Sequence, residues 1–104
     1  MPDADAISIA RNMVASVILA LTKVINALGE DPAAQGFQTK LELYSDWANA
    51  LDADDPPNVP SPDQQQPLLA AIQAVDDMIN QAAAASDLIV AATNVINTLK
   101  APGI

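Results

Sequence analysis

Thirteen acidic side chains are the groups in this 104-residue chain most able to suggest chemistry. Five of them form two groups, Asp76-Asp77 and the run Asp52-Ala53-Asp54-Asp55. Paired carboxylates act as general acid and base when a shaped pocket holds them together. Asp76 and Asp77 are neighbours on a helical stretch and point about 100° apart, so they do not converge. The Asp52–Asp55 run adjoins a proline-rich stretch and reads as solvated loop acids. It also opens like an EF-hand calcium loop, with Asp63 at the twelfth position. Pro57 stands where that loop requires glycine, Pro56 occupies a ligand position and no bidentate glutamate follows, so the motif fails.

The rest of the inventory narrows the field further. Cysteine and histidine are both absent. That removes disulfides, thiolate nucleophiles, zinc–sulfur sites and the usual general base. There is no glycine-rich phosphate loop, no Gly-x-Ser-x-Gly elbow and no Ser/His/Asp set. Ala85-Ser86-Asp87-Leu88 reverses the Asp-Ser-Leu order on which acyl carrier proteins mount their prosthetic group, so that reading fails. No catalytic, cofactor-binding or metal-ligating residue is expected, and the chain reads as a non-enzyme.

The net charge is −9 and the pI about 4.1, with Arg11, Lys23, Lys40 and Lys100 scattered along the chain. Nucleic-acid binding requires clustered basic residues, which are missing. The same deficit argues against anionic membrane surfaces. The acids fall mostly at segment ends and serve solubility. An acidic inhibitor or immunity-type protein that plugs a basic cleft is a further alternative, and salt would weaken its binding. The start, Met1-Pro2-Asp3-Ala4-Asp5, is acidic where a signal peptide is basic. The uncharged run from Asn12 to Thr22 is short for a bilayer span. No membrane span is expected, and a cytoplasmic location is the default.

These features require an all-α domain spanning residues 1–104. The first apolar block covers about 5–28. Its polar residues Ser8, Arg11, Asn12, Ser16, Thr22, Lys23 and Asn26 fall within an arc of about 140°, leaving an apolar face near 220°. No single partner helix covers such a face, so this helix should be central. Ala15 and Leu19 intrude on the polar arc. Asp3 or Asp5 can cap the start, and Gly29 can sit just past the end.

The second block, about 32–51, opens with Asp31 as N-cap and Pro32 in the first turn. Phe37, Leu41, Leu43, Tyr44, Trp47, Ala48, Ala50 and Leu51 share one side, and Lys40 lies among them with room for its amine to reach water. The aromatics follow helical spacing and read as packing. A proline-rich crossover, 52–66, follows. It ends in Ser61-Pro62-Asp63-Gln64, an N-cap, a first-turn proline and a capping box. Pro67 would cost an internal hydrogen bond, so the regular helix can instead start there.

The third block, about 67–100, changes face midway. Leu68, Ile72, Val75, Met78 and Ile79 share one direction. Leu88, Ile89, Ala92, Val95, Ile96 and Leu99 share another, more than 100° away. Either the helix breaks near Ser86, which could cap a fourth helix, or one long helix meets two partners. Ala82-Ala83-Ala84-Ala85 is strongly helix-forming, and propensity favours continuity. The expectation is an antiparallel bundle of three long helices, the last broken near Ser86 if there are four.

At the crossover, Pro62-Asp63 followed by Pro67-Leu68-Leu69-Ala70 resembles the proline-rich turn and Leu-Leu-Ala opening of the type III secretion needle subunits. The resemblance covers a short stretch and implies a helical hairpin of the kind that polymerises. The surplus apolar surface points the same way, to a structural or interaction protein that self-assembles as a homo-oligomer or docks on another protein's helices. The candidate contact residues are Leu19, on the polar arc, and Leu88, Val95 and Leu99, on the swung face. A carrier of apolar ligands in an inter-helical cavity is the alternative.

Overall fold

A computed structural model describes residues 4–53, 56 and 58–104. Asp3 as a cap, the acids Asp54 and Asp55, and Pro57 of the failed calcium motif lie outside the described residues. Among the described residues the fold is all-helical. It comprises α1 (Ala4–Leu28), α2 (Ala33–Ala50), a 3-10 turn (Pro62–Gln64), α3 (Gln65–Asn80) and α4 (Ala85–Thr98). The molecule measures 44 × 24 × 16 Å.

α1 packs on α2, α3 and α4, as its wide apolar face requires. Ala10, Met13, Val14, Val17, Leu21, Val24 and Leu28 enter one continuous core with residues from the other three helices. α1 is also long and apolar enough to cross a membrane by length and composition. Its polar arc carries Arg11 and Lys23, each ion-paired to another segment.

The first helix joint follows its local signals. Gly29 adopts φ +60°, the left-handed conformation that glycine takes at little cost. The Asp31 carboxylate accepts the Ala33 N–H at 2.9 Å, so Asp31 caps α2 across Pro32. At the far end of α2, the Arg11 guanidinium donates to the Leu51 carbonyl at 3.2 Å and pairs with Asp52 at 3.2 Å. That cation from α1 sits where α2's dipole is negative.

The crossover ends as its residues require. Ser61 Oγ accepts the Asp63 N–H at 3.3 Å, and the Ser61 N–H donates to Gln64 Oε1 at 3.1 Å. Pro67 is the third residue of α3, in the first turn, where N–H groups have no acceptor within the helix, so α3 begins two residues earlier than that proline suggested. Gln64 Nε2 also donates to the Thr98 carbonyl at 3.2 Å, tying the start of α3 to the end of α4.

The continuity expected of the last block is not found. α3 stops at Asn80 and α4 starts at Ala85. Ala82 takes φ +52°. The Ala82 N–H donates to Ile79 O at 3.1 Å and the Ala83 N–H to Met78 O at 2.9 Å. These two bonds make a Schellman motif with alanine in the glycine position. The N-cap of α4 is Ala84, without a side-chain hydrogen bond, so Ser86 does not cap the helix. An alanine in the left-handed region costs about 1–2 kcal/mol and a missing cap about 1 kcal/mol. Burying a Leu or Val contributes about 1.5–3 kcal/mol each. The joint brings Leu88, Val95 and Leu99 into the core together, so packing outweighs local preference.

α4 also ends before Lys100, the limit that its apolar periodicity implied. Leu99 leaves the helical region, and its carbonyl accepts the Tyr44 hydroxyl. Ala101 is buried beside it, which folds the tail back onto α2.

Candidate interaction surface

Positions 12, 16, 19 and 23 of α1 fall within about 60° of one another on the helix and form a stripe. Two observations place this stripe along α3. Asn12, Met13 and Ser16 share a small hollow with Gln65, Leu68 and Leu69. Farther along, Lys23 Nζ lies 3.3 Å from Asp76 Oδ1. Leu19 sits between these two points by helical register. On α3, Leu69, Ile72 and Asp76 follow the same seam at 3–4 spacing.

Leu19 is 57% exposed and Leu69 is 50% exposed, two of the four large apolar residues left exposed among the described residues. Their polar neighbours are engaged locally. Ser16 Oγ donates to Asn12 O at 2.8 Å, and Thr22 Oγ1 donates to Ile18 O at 2.8 Å. The seam therefore presents two bare leucines, one half-buried isoleucine and one solvent-exposed ion pair. An exposed pair of that kind contributes little, about 0–1 kcal/mol.

The other three candidate contact residues are placed differently. Leu88 is 4%, Val95 0% and Leu99 1% exposed. The break at Gln81–Ala84 turns their face inward, so they are core residues of the folded chain and not a free surface. Val90, 61% exposed on α4, and Ile104, 45% exposed at the tail, are bare apolar residues that periodicity did not single out. For Leu69 a signal existed: it lies about 100° from its core neighbour Leu68.

Among the described residues, larger hollows lie away from the seam. One of about 340 Å³ lies between the ends of α1, α3 and α4, lined by Leu28, Met78, Ile79, Ala82, Ala83 and Leu88. Two others, about 250 and 280 Å³, flank Trp47 between α2, the crossover and the tail. Trp47 Nε1 donates to the Asn58 carbonyl at 3.1 Å. Its ring lies 6.2 Å from that of Tyr44, tilted by 43°. Phe37, Tyr44 and Trp47 are all buried, as their spacing indicated. Burial pushes the Tyr44 phenol up from 10.0 to about 12, with a backbone hydrogen bond at Ala101 opposing the shift.

Among the described residues no three acidic side chains gather as a metal site would require. Asp77 instead accepts a hydrogen bond from Gln73 Nε2 at 3.1 Å, while Asp76 turns toward Lys23. The two carboxylates thus part as their spacing implies. Comparison with known proteins finds no matching family model, no matching curated protein and no matching solved structure.

Proposed function

We propose that this chain is a non-enzymatic interaction protein that self-assembles or docks on partner helices through the α1–α3 seam. The carrying observation is Leu19, 57% exposed in the middle of an otherwise polar stripe and beside a half-exposed Leu69. A helix laid along the seam would cover both leucines and Ile72. The supporting frame is an antiparallel bundle. Arg11 near the start of α1 meets Leu51 past the end of α2, and Gln64 before α3 meets Thr98 at the end of α4.

Leu19→Lys tests the reading. The side chain is exposed, so helicity by circular dichroism should be retained while assembly is lost in sedimentation. An unchanged sedimentation coefficient would refute the seam as the contact of self-assembly. The hollow of about 340 Å³ favours a second reading, a carrier of a small apolar ligand, because it falls within the size range of ligand pockets and aliphatic side chains line it. Native mass spectrometry separates the two: a multimer without added mass supports assembly, and a monomer with added mass supports the carrier.

A further inference from the structure

We propose that α4 is exchanged between two copies of this chain by straightening of the Gln81–Ala84 joint. The joint is held in a form its own residues resist. Ala82 has φ +52°, a conformation suited to glycine, and Ala84 leaves the start of α4 without a side-chain cap. Gln81 and the four alanines from Ala82 to Ala85 are strong helix formers, and no Gly or Pro interrupts them. Locally, the preferred state of this stretch is a helix running from α3 into α4. The hairpin persists because α4 packs back on α1 and α3.

Straightening would give one helix from Gln65 to Thr98, about 51 Å long. The whole molecule is 44 Å in its longest dimension, so α4 would leave its own core. The exposed faces would then accept α4 of a second copy, and the first copy's α4 would fill the second in return. Such reciprocal exchange closes with two-fold symmetry. The packing that α4 gives up within its own chain re-forms between chains. Leu88, Ala92, Val95 and Ile96 re-enter an equivalent core, and the bonds from Gln64 to Thr98 and from Tyr44 to Leu99 are restored across the pair. What changes is the joint itself, which relaxes to helix. Strained short hinges are the known route to such exchange. The inference does not use the α1–α3 seam and stands apart from it.

Spin labels at Gln66→Cys and Asn97→Cys read the joint directly, since both positions are exposed and the chain has no cysteine of its own. Labelled chains are refolded at high concentration with an excess of unlabelled chains, so only distances within one chain are measured. In the hairpin, these positions lie at the adjoining ends of α3 and α4. In the exchanged form they are about 47 Å apart. The monomer fraction should give the short distance and the dimer fraction the long one. Ala84→Pro provides the control: φ −60° at Ala84 already suits proline, and proline would interrupt a straightened helix. It should lower the dimer fraction at least tenfold and leave the monomer folded. Ala82→Gly should lower it in the same direction, and Leu19→Lys, which acts only on the α1–α3 seam, should leave the population with the long intrachain distance unchanged. A dimer with only the short distance, a dimer fraction that survives Ala84→Pro, or no dimer after concentrated refolding would overturn the proposal.

Discussion

The two helix joints of this protein solve the same problem with different means. Both reverse the chain in four residues, and both pass through a residue with φ near +50 to +60°. At the α1–α2 joint that residue is Gly29, and Asp31 caps the next helix. At the α3–α4 joint it is Ala82, and the next helix has no side-chain cap. The first turn is written in its own residues. The second is imposed by what lies on either side of it. Local turn chemistry is not necessary for a turn, because burial of one short helix outweighs an unfavourable turn by several kcal/mol.

The sharpest way to break this comparison is to weaken the packing that imposes the second turn. Leu88→Ala should destabilise the fold by about 2–5 kcal/mol in chemical denaturation, the range for a buried leucine. A loss below 1 kcal/mol would mean that the joint is held by something else. The next largest effect comes from the far end of α4, where Tyr44 holds the Leu99 carbonyl. Its phenol titrates near 12 when folded against 10.0 when free, so the folded state disfavours the anion. Stability from this group is complete below pH 10 and declines as pH rises toward 12, by about 2–3 kcal/mol in all. Tyr44→Phe should be less stable at neutral pH and should lack that alkaline decline. The smallest effect separates the two joints directly. Asp31→Ala removes a cap and should cost about 1 kcal/mol, whereas Ser86→Ala should be nearly neutral because Ala84 is the N-cap of α4. A cost of 1 kcal/mol at Ser86 would contradict this assignment of the cap.

The same contrast explains what could be read from the residues. The wide face of α1, the turn at Gly29-Glu30-Asp31-Pro32 and the capping box at Ser61–Gln64 all rest on short-range rules, and each appears where those rules place it. The Gln81–Ala84 joint could not be located this way, because every residue in it prefers helix. The sequence did carry a trace of it, the swing of the apolar face between Ile79 and Leu88, and that long-range signal was the more informative one. A continuous helix also misplaces Leu88, Val95 and Leu99, since a face that swings outward on a straight helix turns inward after a break. Leu19 was legible because α1 is unbroken and its register is secure. The Tyr44 bond to Leu99 joins residues far apart in the chain and leaves no local mark.

Backbone carbon chemical shifts from Gln65 to Thr98 test the central claim, that packing imposes a break on a helix-forming stretch. The account predicts helical shifts through Asn80, a loss of helical character at Ala82, Ala83 and Ala84, and helical shifts again from Ala85 in the monomer. Unbroken helical shifts across all thirty-four positions in the monomer would contradict it.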